Sequence, residues 1–168
     1  MNTKNIYSYP IDKKYIKHIV TKESPGHIKM RDKNGVMCDT TRSIDFLCDE
    51  GTPIKASLDG EVVATLDNIT KNYDKKKMPT EDDISEEEQS GNYTIIKHVS
   101  NEFSMYCHLG HKKVSVTKGQ IVRTGDVIGY SGNTGWSISP HLHFMVFRFV
   151  KPLPVRDFES LEIRFEGE

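Results

Sequence analysis

A chain of 168 residues with 36% hydrophobic residues is the size of one domain around one modest core. Its 23 Lys and Arg against 24 Asp and Glu give a formal net charge of -1 with no basic stripe. This excludes a protein that tracks a nucleic-acid backbone, which needs concentrated positive surface to displace counterions.

The opening "MNTKNIYSYPIDKKYIKHIV" has neither an uninterrupted apolar stretch nor a small-residue cleavage site, and no later segment approaches a membrane span. The expected setting is therefore cytoplasmic, or outside the cell by a non-classical or phage-type release. Residues 1–40 read as an approach segment packed on the main domain, residues 41–150. Short runs rich in Val, Ile, Thr, Phe and Tyr follow in order: "TPIKASL", "GEVVATL", "NYTIIKHV", "EFSMYCHL", "KVSV", "QIVRTGDVIGYSG" and "HLHFMVFRFV". Separated by Gly, Asp and Asn, they predict a mainly antiparallel β domain. Residues 69–91 have a basic half and an acidic half with almost no apolar anchor, and predict a mobile hairpin loop whose strand resumes at Tyr93. Residues 151–168 form a Pro-punctuated tail with a late strand at "LEIRF".

Three cysteines, Cys38, Cys48 and Cys107, match neither a disulfide framework nor a CxxC zinc site, and read as small hydrophobes kept reduced. The informative stretch is "SGNTGWSISPHLHF". Side chains at i and i+2 of a strand share a face, so His141 and His143 project together, as a metal site requires. Gly132 and Gly135 are expected to supply positive-φ turn positions that aim the strand, with Trp136 at the rim.

Block after block and in order, "RSIDFLCDEGTPIKASLDGEVV", "GNYTIIKHV", "MYCHLGHKKVSVTKGQIVRTGDVIGYSGNTG" and "SPHLHF" resemble the M23 (lysostaphin/LytM-like) zinc endopeptidases. The resemblance runs from about Ser43 to about Val150. It implies a curved antiparallel sheet of duplicated hybrid motifs with a groove above it, one zinc ion, and a peptidoglycan substrate. It also implies Asp45 and His143 as metal ligands and His108 and His141 as the catalytic histidines. The family's first ligand, a His four residues before the Asp, falls here on Thr41, whose hydroxyl is a poor zinc ligand. The ligand set is thus expected to be incomplete. Cys38 or Asp39 substitutes if the strand to Asp45 is bulged, and His27 if the upstream loop folds back; otherwise zinc binds weakly or the groove has lost it.

Other residues have plainer readings. His98 and His111 are expected at the surface. Tyr106, two residues before His108, is expected on the same face, either as a hydrogen-bond donor or as a half-buried aromatic. Three functions follow. The first is a zinc endopeptidase in which a metal-activated water attacks a peptide carbonyl. The second is a catalytically impaired relative, a pseudoenzyme that binds a peptide or partner without cutting it. The third is a group carrier, because "VTKGQIVRTGDVIGYSG" also resembles biotinyl/lipoyl and phosphocarrier hairpins, although no lysine sits at a hairpin tip.

Overall fold

The computed structural model describes residues 1–22, 24–31, 36–73, 86–151 and 157–168. Twelve strands form one sheet: β1 (His18–Val20), β2 (Lys29–Arg31), β3 (Met37–Asp39), β4 (Ile44–Leu47), β5 (Pro53–Lys55), β6 (Gly60–Leu66), β7 (Asn92–Lys97), β8 (Phe103–Val114), β9 (Ile121–Val122), β10 (Val127–Ser131), β11 (His141–Phe149) and β12 (Phe158–Ser160). The main path runs β2-β3-β12-β11-β8-β7-β6-β9; β4 lies between β1 and β11 over the first half of β11, and β10 between β5 and β8. All pairings are antiparallel except β12 with β3.

The continuous apolar run of β11 is explained by its being covered on both faces. Leu142, Phe144 and Val146 point into the core with Phe46, Tyr106 and Ile96, while Met145 and Phe147 alternate with them onto the opposite face. Tyr7, Ile11 and Phe165 close the core from the two ends of the chain. The N-terminal segment is held there by the buried Glu102 carboxylate, which accepts from Asn5 N at 3.2 Å, Asn5 Nδ2 at 2.7 Å and the Tyr7 hydroxyl at 3.0 Å. Such a carboxylate is tolerable in a core only with several donors around it.

Two expectations need correction. The late strand is Phe158–Ser160, not "LEIRF": Glu162 and Phe165 make only isolated bridges to Asn2 and Tyr7, because the N-terminal segment runs beside them. The segment 69–91 does connect paired strands, β6 and β7. Its described ends, however, are tied down rather than loose, and include a short helix, α1 (Glu86–Ser90). Residues 74–85 of that segment lie outside the described part.

Candidate active site and metal centre

The sheet supplies the first pair. Residues directly opposite on antiparallel neighbours share a face, and Asp45 on β4 lies opposite His143 on β11, as Leu47 does opposite His141. His143 Nδ1 is 2.8 Å from Asp45 Oδ1, and His141 Nε2 is 3.7 Å from the same oxygen. A third imidazole arrives from outside the sheet. His27, between β1 and β2, is buried with Nε2 3.1 Å from Asp45 Oδ1. His27 Nδ1 donates to the Thr21 carbonyl, which leaves Nε2 as the nitrogen that faces Asp45, donating to its carboxylate here and free to give its lone pair to a metal ion once that proton is lost. A carbonyl behind a ligand imidazole is the usual device for fixing its tautomer and orientation.

Donor atoms of His27, Asp45 and His143 all lie within 4.8 Å of one another, and those of His108, His141 and His143 form a second group of the same compactness. Burial alone would raise the Asp45 pKa. The hydrogen bonds from His143 and His27, with the imidazole charges nearby, outweigh it and hold the carboxyl well below the usual range. For His27, burial lowers the pKa but the Asp45 hydrogen bond and charge raise it further. Two imidazoles and an ionised carboxylate, converging with His27 and Asp45 buried and His143 half-buried, are a donor set suited to zinc with an open position.

His108 reaches this face by a break in the strand pattern. On β8, Cys107 lies opposite His143 and Tyr106 opposite Phe144, so regular alternation would send His108 into the core beside Tyr106. A φ of 60° at His108 turns it back to the histidine side. Left-handed backbone at a non-glycine residue costs on the order of 1–2 kcal/mol, which the surrounding structure must supply. Tyr106 therefore does not share the face of His108. It is fully buried, with its hydroxyl accepting from Ser57 N at 2.9 Å and lying 3.1 Å from Ser104 Oγ.

Two histidines of the second group, His108 and His141, are fixed from one loop, residues 132–139. His108 Nδ1 donates to the Thr134 carbonyl at 2.8 Å, and His141 Nδ1 donates to the Ser139 carbonyl at 2.7 Å with Ser137 Oγ at 3.1 Å. Each ring thus keeps Nε2 as its basic nitrogen. Burial, followed by the neighbouring imidazoles, pushes the His108 pKa well down, and burial lowers that of His141, so both are neutral near pH 7. The loop itself is short of space. A Cβ at Gly132 would meet the Gly110 backbone at 2.6 Å, so close approach and not positive φ requires glycine there; Gly135, at φ 76°, does occupy the left-handed region.

The ends of segment 69–91 grip this loop. Asn72 Nδ2 donates to the carbonyls of Asn133 at 2.6 Å and Ser137 at 3.0 Å, Tyr73 N to that of Gly135, and Trp136 N to that of Gln89. The Tyr73 hydroxyl joins the two ends by donating to Glu88 at 2.9 Å. Nothing in the sequence marks Asn72 as part of a site: it stands in a polar, low-hydrophobicity stretch.

The remaining candidates are occupied elsewhere. Thr41 donates its hydroxyl to Asp39 Oδ1 at 2.7 Å, and Asp39 also accepts from Thr41 N and Ser160 Oγ. Cys38 lines the groove but belongs to neither donor group. His111 is exposed as expected, but His98 is buried, with Nδ1 2.8 Å from the Asp59 carbonyl and Nε2 2.7 Å from Ser104 Oγ. The turn after β7 folds that ring inward, where its polar atoms find partners.

The profile of peptidase family M23 matches residues 39–154. The chain belongs to peptidase family M23. Over 100 residues it is 38% identical to the peptidoglycan DD-endopeptidase ShyA of Vibrio cholerae, a match covering 60% of this chain and 18% of that protein. Over 154 residues it is 31% identical to an uncharacterized metalloprotease of Buchnera aphidicola, covering 92% and 34% respectively. Among solved structures, a zinc containing peptidase from Vibrio cholerae is similar with a TM-score of 0.58 and 29% identity, over 84% of this chain and 36% of that one. The chain spans about a fifth to a third of the length of the curated relatives it matches. Among the described residues no helix is long and apolar enough to cross a membrane.

Proposed function

We propose that this M23 chain is a zinc-dependent endopeptidase that hydrolyses peptide bonds of peptidoglycan, with His27, Asp45 and His143 holding the metal. The observation that carries this reading is the convergence of those three donors within 4.8 Å, beside His141 at 3.7 Å from the shared carboxylate oxygen. His27 takes the part expected of a residue at position 41, and Thr41 serves Asp39 instead. The similarity to a peptidoglycan DD-endopeptidase supports the substrate class, and such a substrate lies outside the cytoplasmic membrane.

Bound zinc supplies Lewis acidity, polarising a water and the scissile carbonyl. The protein's own contribution is proton handling. A neutral His141 or His108 accepts a proton from the attacking water at Nε2 as the water oxygen bonds to the carbonyl carbon. The imidazolium so formed donates a hydrogen bond from Nε2 to the developing oxyanion. The proton then passes to the leaving nitrogen as the C–N bond breaks, which restores the neutral ring; the water's second proton goes from the new carboxylic acid to the amine, giving one carboxylate and one ammonium. Thr134 and Ser139 keep both rings oriented through their carbonyls.

The test is to strip the protein with chelator, restore zinc in steps, and follow hydrolysis of cell-wall preparations and of short peptides containing glycine or D-alanine. Cleavage that rises with zinc to one equivalent supports the proposal. Stoichiometric zinc without cleavage, but with binding of the same peptides, would leave a pseudoenzyme that binds its ligand uncut.

A further inference from the structure

The imidazole of His27 reaches Asp45 from a loop, and the backbone of that loop is tied to the sheet through Thr40. Strand β2 begins at Lys29, paired with Asp39 of β3. One step closer to His27 the ladder continues in part, since Thr40 N donates to the Ile28 carbonyl at 2.8 Å. A hydrogen-bonded antiparallel pair would return a bond from Ile28 N to the Thr40 carbonyl. That carbonyl instead accepts from Ser43 N at 3.0 Å, in the turn that leads into β4 and Asp45. The Thr40 side chain takes its place. Ile28 N donates to Thr40 Oγ1 at 3.0 Å, and Thr40 Oγ1 donates to the Gly26 carbonyl at 2.8 Å. The Ile28 carbonyl also lies 3.0 Å from this hydroxyl, but Thr40 N already serves it, so the single hydroxyl proton goes to Gly26.

From these contacts we infer that Thr40 is a positioning residue of the metal centre, setting His27 where its imidazole meets the Asp45 carboxylate. The inference rests on the proposed reading of His27 as a metal ligand. Thr40 bonds the peptide groups on both sides of His27, the Gly26 carbonyl before it and the Ile28 N–H after it. It thereby fixes the direction in which the His27 side chain leaves the backbone, and the Nδ1 bond to the Thr21 carbonyl fixes the rotation of the ring. The bond from His27 N to the Ser24 carbonyl, at 3.0 Å, shapes the turn from within and would move with it. Those to Thr40 would not. Thr40 stands five residues before Asp45 and is joined to the same strand through the Ser43 turn, so ligand and carboxylate are held in one frame. Its branched Cβ restricts χ1 and keeps the hydroxyl on a fixed bearing. The neighbouring Thr41 turns its own hydroxyl to Asp39, so two adjacent threonines serve two different structures.

The experiment measures zinc affinity, by competition with a chelator, in Thr40→Val and Thr40→Ala, which lack the hydroxyl, and in Thr40→Ser, which keeps it. Both hydroxyl-free variants should bind zinc about tenfold or more weakly, the usual cost of losing a group that orients a metal ligand, while Thr40→Ser recovers most of the affinity. Cobalt(II) in place of zinc gives a second readout, because its visible absorption follows ligand geometry. That spectrum should change in Thr40→Val and be kept in Thr40→Ser. A double-mutant cycle separates positioning from general support of the fold. With His27 already replaced by Ala, removing the Thr40 hydroxyl should cost no further affinity. Wild-type affinity and spectrum in both hydroxyl-free variants overturn the inference, as does an equal loss with and without His27. Failure of both to fold, with Thr40→Ser folded, would assign Thr40 to the fold alone and likewise overturn it. If His27→Ala itself leaves zinc affinity unchanged, the ligand reading fails and this inference with it; if His27→Ala weakens zinc and the Thr40 variants do not, this inference alone falls. Zinc binding that follows the expected pattern with no peptide or cell-wall preparation cut would end the peptidase reading and leave Thr40 in its role.

Discussion

His27 Nε2 and Asp45 Oδ1 lie 3.1 Å apart although eighteen positions separate them in the sequence. The segment between β1 and β2 thus delivers an imidazole to a carboxylate that β4 and β11 already present. On the proposed reading this makes His27 the decisive residue for the metal. His27→Ala should lower zinc affinity by at least about tenfold, since one ligand is worth several kcal/mol in a three-ligand site. Thr41→His should restore little or none of it, because position 41 is turned to Asp39. Competition against a chromogenic chelator checks both; full affinity in His27→Ala would return the third ligand to Cys38 or Asp39.

Ligand and catalytic roles should separate. His108→Ala and His141→Ala are expected to retain one zinc while losing on the order of 10² to 10³ in kcat, the usual cost of a general base or an oxyanion donor. Asp45→Ala and His143→Ala should lose the metal itself. Metal content after dialysis, set beside the hydrolysis rate for each variant, distinguishes the two classes.

Asn72 touches neither metal ligand nor groove histidine, but it holds the loop whose carbonyls orient His108 and His141. Asn72→Ala should lower kcat by roughly tenfold with zinc affinity intact, because small misplacement of a catalytic group is costly in rate. An unchanged kcat would mean that Tyr73 and Gln89 fix the loop without it.

How much of this was legible in the sequence follows from the range of the interactions concerned. The pairing of His141 with His143, the central strands and the family all rest on local spacing, which a strand pleat converts directly into geometry. His27 could be named only as one of three candidates, because its approach depends on where a loop outside the sheet folds back. His108 obeys no alternation rule: its side is set by a φ of 60°, and periodicity cannot express a single left-handed residue. Asn72 and the burial of His98 depend on contacts that close over 61 and 39 positions, to Asn133 and Asp59. Apolar patterning carries no record of such polar closures.

The cysteines give a chemical test of burial. Desolvation pushes the Cys107 thiol up to about 12 and raises that of Cys48, and both are buried. In native protein at pH 8 neither should react with a thiol reagent such as DTNB on the timescale of an exposed cysteine. Counting labelled thiols before and after denaturation should give at most one, Cys38, and then three. Rapid native labelling of Cys107 would contradict the sheet face assigned to it.

Asp39 should contribute to acid sensitivity. Burial raises its pKa, but the hydrogen bonds from Thr41 and Ser160, helped by Lys29, lower it below the ordinary value overall. A depressed folded-state pKa means stability that is fully present above the unfolded value of about 4 and is lost as pH falls through the folded one. Urea unfolding at pH 7 and at successive steps below pH 4 should therefore show a smaller loss for Asp39→Asn than for wild type. Equal slopes would show that the carboxylate is not differentially ionised.

Asp45 and His143 stand opposite each other on adjacent strands drawn from positions 98 apart. Their proximity is a product of sheet closure, with high contact order, and cannot precede it. On the proposed zinc reading the ion is therefore a late arrival in the life of the chain. Unlike a zinc finger, which has no fold until metal nucleates one, this domain can close its core first and load zinc afterwards. Zinc held as proposed would then fasten the stretch around His27 to the sheet. A cell short of zinc would accumulate folded, inactive protein that a pulse of the metal could bring into service without new synthesis.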